Sequence, residues 1–149
     1  MKIEKLLKLL KENEVDFIVI GATAFPVYGY VRATLDVDIF IRPTKRNALR
    51  TMKALKEFGY DLQDVSVDEL LSKKILFRQY ALETDIHPFV KGITYEEAWK
   101  NKVSKKVSGV LVNFASLEDL IKMKKAANRP KDREDLKYLM KIKEEGKKK

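Results

Sequence analysis

The apolar positions of this chain change period several times, and each change marks an element. Met1 to Asn13 sets Ile3, Leu6, Leu7, Leu9 and Leu10 among Lys and Glu, the spacing of a helix with one apolar face, closed by Asn13 and Glu14. Val15 to Ile20 is a short β-branched run that reads as a strand, ended by Gly21. Ala22 to Tyr28 predicts a short helix, in which Pro26 is tolerated only in the first turn and which Gly29 stops. Leu35 to Ile41 alternates apolar and acidic residues as a strand does, and Pro43-Thr44 breaks it. A helix follows from Lys45 to Phe58, with Leu49, Met52, Leu55 and Phe58 at three-residue steps and Gly59 as its stop.

Capping boxes place the later helices. Ser66 with Glu69, Thr94 with Glu97 and Ser116 with Asp119 open helices at about 66–71, 94–100 and 117–127. Residues 75–88 are extended, either as one bent strand or as a bulged pair, because no turn dipeptide divides them. Val103 to Lys106 and Val110 to Phe114 predict a hairpin turning at Ser108-Gly109. Pro130 opens a last helix, Lys131 to Glu144. The expected fold is α+β: a mixed sheet with helices packed against it and further helices at the C-terminal end. Without internal repeats or a linker, residues 1–149 are expected to form a single domain, with 144–149 as a frayed basic tail.

Composition narrows the picture. An apolar content of 45% suits a packed core. The absence of cysteine removes disulfides and thiolate metal sites and fits a cytoplasmic setting. Lysines and glutamates interrupt the first residues, so no signal peptide or membrane span is expected. The Lys- and Glu-rich, cysteine-free balance also fits a thermophilic source. Thirty-one basic against 22 acidic residues leave a formal charge of +9, which favours nucleotides or RNA as partners.

The candidate chemistry lies between Phe17 and Ile41. Asp36 and Asp38 are two residues apart on a strand and so share one face, while Leu35, Val37, Ile39 and Ile41 point into the core. Paired carboxylates repel unless a cation lies between them, and such oxygen pairs suit Mg²⁺ with substrate phosphates. Gly21 lets the backbone turn or approach a ligand closely.

Gly21 through Ile41, with a further acid at Asp85, resembles the nucleotidyltransferase superfamily signature. That signature is a small-residue turn after a strand, then a hydrophobic-Asp-hydrophobic-Asp-hydrophobic strand, then a third acid on a later strand. The likeness is to small prokaryotic nucleotidyltransferase-like proteins, including minimal nucleotidyltransferases and abortive-infection-type toxins. The runs Arg32-x-Thr34-x-Asp36-x-Asp38 and Lys125…Arg129-Pro130-Lys131-Asp132…Asp135-Leu136 are similar to recurring forms there. The resemblance covers about Val15 to Met140. It implies that Asp36, Asp38 and Asp85 are catalytic and hold one or two Mg²⁺ ions, or Mn²⁺, with Asp85 also helping to deprotonate an acceptor hydroxyl. Gly21, Ala22, Thr23, Arg32 and Lys125 would then bind the nucleoside triphosphate. A nucleoside monophosphate would pass to a protein, RNA (tRNA among them) or small-molecule hydroxyl, and pyrophosphate would leave. Self-association or a small helical partner protein would complete the acceptor site, and the segment 92–114 is the expected acceptor-recognising region.

Ala22 departs from the family's usual Gly-Gly or Gly-Ser pair, which opens a second reading. In it the chain binds nucleotide or RNA with little turnover, as a toxin–antitoxin component. Several of the site residues also admit a plainer role. Glu83 shares the strand face of Asp85 and competes with it for the part of third acid. Arg32 is equally a solvated loop residue, and the cluster Lys124, Lys125, Arg129 and Lys131 equally pairs with Asp132 and Asp135. His87 reads as strand-end packing, since one histidine without cysteine speaks against a zinc site. Phe89, Tyr95 and Trp99 read as core or hairpin packing rather than as a base-stacking platform. P-loop, dinucleotide-fold and serine-hydrolase motifs are absent.

Overall fold

The structure, a computed structural model, describes residues 2–32, 36–79 and 82–147. Met1, Thr34, Leu35, Tyr80 and the two terminal lysines therefore lie outside the described residues. Among the described residues six α-helices and six strands follow in the order α1 (Lys2–Glu12), β1 (Phe17–Ile20), β2 (Asp36–Ile41), α2 (Lys45–Phe58), α3 (Val67–Ser72), β3 (Ile75–Phe77), β4 (Glu83–His87), α4 (Tyr95–Asn101), β5 (Val103–Val107), β6 (Val110–Phe114), α5 (Leu117–Ala127) and α6 (Pro130–Lys147). The strands form one mixed sheet in the order β3-β4-β2-β1-β6-β5. The expected α+β architecture is the one observed. Among the described residues no helix is long and apolar enough to cross a membrane.

β1 and β2 pair antiparallel, while β4 lies parallel to β2 in an unbroken register from Asp36↔Glu83 to Phe40↔His87. Val37, Ile39 and Ile41 are fully buried on one face of β2. On the other face Asp36 and Asp38 are only partly covered, and Phe40 is buried edge-on against Tyr95 of α4. Residues 75–88 resolve into an antiparallel pair, with Leu76 opposite Asp85. The hairpin forms as expected, with both Ser108 and Gly109 at positive φ, the combination that a tight two-residue turn needs.

Several local expectations are corrected. Ala22 to Tyr28 is two successive 3-10 turns, Gly21–Thr23 and Phe25–Tyr28, the second ended by Gly29 at φ 89°. In α2 the buried face is Asn47, Ala48, Thr51, Ala54 and Leu55, and Leu49 is exposed. Asn47 sets that phase: its side chain accepts from the Asp16 amide and donates to the Asp16 and Arg42 carbonyls, tying the start of α2 to the sheet. Ser116 caps α5 through the Asp119 amide. Asp119 itself turns to Asn101 rather than closing a capping box. Helix α6 continues to Lys147, beyond the Glu144 boundary expected.

Two buried carboxylates join the last helices. Asp132 and Asp135 of α6 are 0% and 2% exposed. Lys124 of α5 reaches both, at 3.1 and 3.2 Å, and Arg129 closes on Asp132 at 2.7 Å. Arg32 pairs with Asp135 in bidentate fashion, at 2.9 and 3.0 Å, and the Tyr30 hydroxyl donates to the same carboxylate. Burial alone would raise the Asp132 carboxyl, but hydrogen bonds from Arg129 and Lys124 outweigh it and hold the group at about 2. A carboxylate depressed on folding stabilises the fold above its unfolded value, near 4, and loses that contribution as pH falls through its folded one. Asp132→Asn should therefore cost about 2 kcal/mol at neutral pH. In thermal melts across pH, the gap between parent and variant should close between about pH 4 and 2.

Candidate active site

The site is built where β1 ends and where β2 faces β4. Ile20, the last residue of β1, pairs with Asp38. The next residue, Gly21, turns at φ +70°, and a β-carbon there would lie 2.7 Å from Asp38 Oδ2. Only glycine allows the chain to turn this close to the carboxylate. The parallel register then sets Asp85 directly opposite Asp38 and His87 two residues further along the same face. His87 Nε2 lies 2.8 Å from Asp38 Oδ1. One ligand atom each from Asp38, Asp85 and His87 falls within 4.8 Å of the others.

Charge is distributed unevenly about this centre. Burial acts to raise the Asp38 carboxyl. The hydrogen bond with His87 and the positive fields of His87, Lys74 and Lys124 outweigh it and keep the group below the usual carboxylate range. Asp85 is buried and paired with the Arg78 guanidinium, whose Nε also lies 3.3 Å from Glu83. Glu83 stands opposite Asp36 in the register, and a hydrogen bond between their carboxyl groups pushes Glu83 up, with burial adding to it. The compact group is thus Asp38, Asp85 and His87. Asp36 sits one pleat away, beside Glu83.

Asp38 and His87 also line a cleft of about 310 Å³. Gly21, Asp38 and His87 form one end, Leu120 and Met123 of α5 form an apolar wall, and Lys74, Lys91, Lys124 and Arg129 supply positive charge. The expected nucleotide-binding residues are distributed unequally around it. Ala22 is buried, and the Thr23 hydroxyl donates to the Asp36 carbonyl at 3.2 Å. Arg32 is engaged with Asp135 at the α6 cluster and does not line the cleft. Lys125 is exposed on α5, and its neighbour Lys124 takes the cleft-facing position. The hairpin of the 92–114 segment lies at the far edge of the sheet from β4.

His87 is one of the candidate-site residues that sequence reasoning missed. Its local pattern reads as packing, and its place on the face of Asp85, two residues on, is the signal that could have found it. Lys74 and Arg78 were missed as well. Nothing in the local pattern sets them apart, because their acidic partners lie on other strands or across a turn.

The whole chain, residues 1–149, matches the protein family described as "Nucleotidyl transferase of unknown function (DUF2204)". The chain belongs to this family. Two solved structures share the fold. One is the lincosamide antibiotic adenylyltransferase LnuA, in its lincomycin-bound form, at 14% identity and a TM-score of 0.65, covering 95% of this chain and 96% of that one. The other is a putative nucleotidyltransferase (TM1012) from Thermotoga maritima, at 17% identity and a TM-score of 0.62, covering 93% and 90%. No curated protein matches the sequence. Nucleotidyltransferases generally use divalent metals, and the donor set found here fits one: two carboxylates and an imidazole converge, and Asp38 is kept ionised.

Arg78 occupies the Asp85 carboxylate, so a divalent cation binding there would have to compete with the guanidinium. Arg78→Gln should bind Mn²⁺ about 5- to 10-fold more tightly by calorimetry. In chelator the same variant should melt at a lower temperature than the parent, because the acids lose their internal counter-charge.

Proposed function

We propose that this protein transfers a nucleoside monophosphate from a nucleoside triphosphate to an acceptor hydroxyl. The acceptor oxygen attacks the α-phosphorus, the bond to the β-phosphate oxygen breaks, and pyrophosphate leaves. The observation that carries this reading is the pairing of Asp38 with Asp85 across β2 and β4, at the end of a cleft lined by Lys74, Lys124 and Arg129.

Asp38 and Asp85, with His87 beside them, would hold a divalent cation, Mg²⁺ or Mn²⁺ by the chemistry of two carboxylates. When bound, that cation would offset charge on the phosphate oxygens and lower the pKa of a nearby hydroxyl. The remaining work is positioning and electrostatics. Lys124 is held in place by Asp132 and Asp135, so its ammonium is oriented before any phosphate arrives. Arg129 is oriented by Asp132 in the same way. Asp85, or Glu83 beside it, would take the proton of the acceptor hydroxyl. Asp36 supports this edge through Glu83 and through its carbonyl bond to Thr23.

The acceptor class rests on analogy of fold alone. The neighbour LnuA is a lincosamide antibiotic adenylyltransferase, which favours a small-molecule hydroxyl over RNA or protein. A second reading, nucleotide binding without turnover, draws on the turn after β1. There Ala22 carries no hydroxyl and that of Thr23 is engaged. Steady pyrophosphate release excludes this second reading.

Asp38→Asn and Asp85→Asn should each lower acceptor labelling from α-labelled triphosphate by at least 100-fold, on the order of removing one preorganised electrostatic group. Both variants should remain folded, with a melting temperature lowered by the loss of the His87 or Arg78 pair. Labelling at the parental rate in either variant would show that the transfer does not depend on this pair.

A further inference from the structure

The loop between β4 and α4 lines the cleft, and apart from the positive charge of Lys91 it has no part in the chemistry described above. It is unusually well fixed for a loop. Pro88 is buried, Val90 packs against the core, and Val90 and Ile93 form an isolated bridge. Gly92, at φ +94°, lies so close to α5 that a β-carbon there would meet the Ala126 side chain at 2.7 Å and the Lys122 carbonyl oxygen at 3.1 Å. Alternate residues are thereby held outward. Phe89 is 64% exposed, and both Phe89 and Lys91 line the cleft that contains Asp38 and His87.

A lone exposed apolar side chain calls for no explanation. This one stands on an anchored turn in the wall of a charged cleft. We propose that Phe89 is the platform on which the nucleobase of the donor nucleotide stacks. The inference rests on the nucleotidyl-transfer reading and adds the position of the base to it. The cations of the cleft, with a metal ion held at Asp38, would claim the polyphosphate. Phe89 follows His87 by two residues, at most ~7 Å of chain, so a planar group joined to the phosphates through a ribose reaches its ring. The cleft, at about 310 Å³, is of a size for one such ligand, which leaves the acceptor to approach from the Asp85 and Glu83 side. Stacking on a ring face tolerates every base, so Phe89 contributes affinity for a nucleotide without choosing among bases.

The test is calorimetric titration of the full chain, in Mg²⁺, with the α,β-methylene analogue of ATP and with inorganic tripolyphosphate. Phe89→Ala should weaken the ATP analogue by about 10-fold or more and leave tripolyphosphate unchanged, and Phe89→Trp should retain nucleotide affinity. Base protons of the bound analogue should shift upfield in the NMR spectrum of the parent and not in Phe89→Ala. Equal loss for both ligands, no loss for the analogue, or a parent that binds tripolyphosphate as tightly as the analogue would overturn the platform and leave the transfer reading standing. A parent that binds neither ligand would overturn both.

Discussion

The in-register parallel pairing of β2 with β4 is the constraint on which the site depends. Side chains alternate along a strand, so a slip of one residue would turn Asp85 into the core and bring Thr84 or Ile86 to the site face. The apolar set Val37, Ile39, Ile41 and Ile86, all fully buried, opposes that slip. The burial that stabilises the sheet therefore also sets Asp38 against Asp85. The arrangement places like charges side by side, which is unfavourable unless cations answer them. His87, Lys74 and Lys124 answer Asp38, and Arg78 answers Asp85 and Glu83.

A second charged centre supports the first from behind. Asp132 and Asp135 are buried at the junction of α5 and α6, where Lys124, Arg129, Arg32 and Tyr30 bond to them. Removing one member of such a group leaves a poorly solvated charge unpaired, which is why these pairs hold geometry firmly even where their net stabilisation is small. Lys124 belongs to both centres: it is 12% exposed, bridges the two acids and lines the cleft. The fold thus presents its cations to the cleft already oriented. The 310 Å³ space lies between a carboxylate end and these bases.

Much of the fold was legible because it depends on local signals. Capping residues, positive-φ turn positions and alternation placed most elements close to their observed bounds, and Asp36 and Asp38 share a face as period-two alternation requires. What escaped the sequence depends on long-range partners. The phase of α2 follows from Asn47 bonding to Asp16 and Arg42, which outweighs the three-residue spacing of Leu49 and its neighbours. Arg32 finds its carboxylate 103 residues away. Lys124 and Lys125 differ only in helical phase, which the α5–α6 contact decides. His87 could not be told from a packing residue without the strand register that brings it to Asp38. The family resemblance supplied the set of acids, while the structure supplied their grouping: Asp38, Asp85 and His87 together, with Asp36 displaced toward Glu83.

The proposed function depends on Asp38 and Asp85 sharing one divalent cation beside the cleft. Crystals grown with Mn²⁺ and a non-hydrolysable nucleoside triphosphate, measured at a wavelength where manganese scatters anomalously, test it most directly. The account predicts an anomalous peak within bonding distance of both carboxylates, with Arg78 moved off Asp85 and the triphosphate beside Lys124. A peak elsewhere, or a nucleotide bound with Arg78 still seated on Asp85 and no manganese between the two strands, would contradict it.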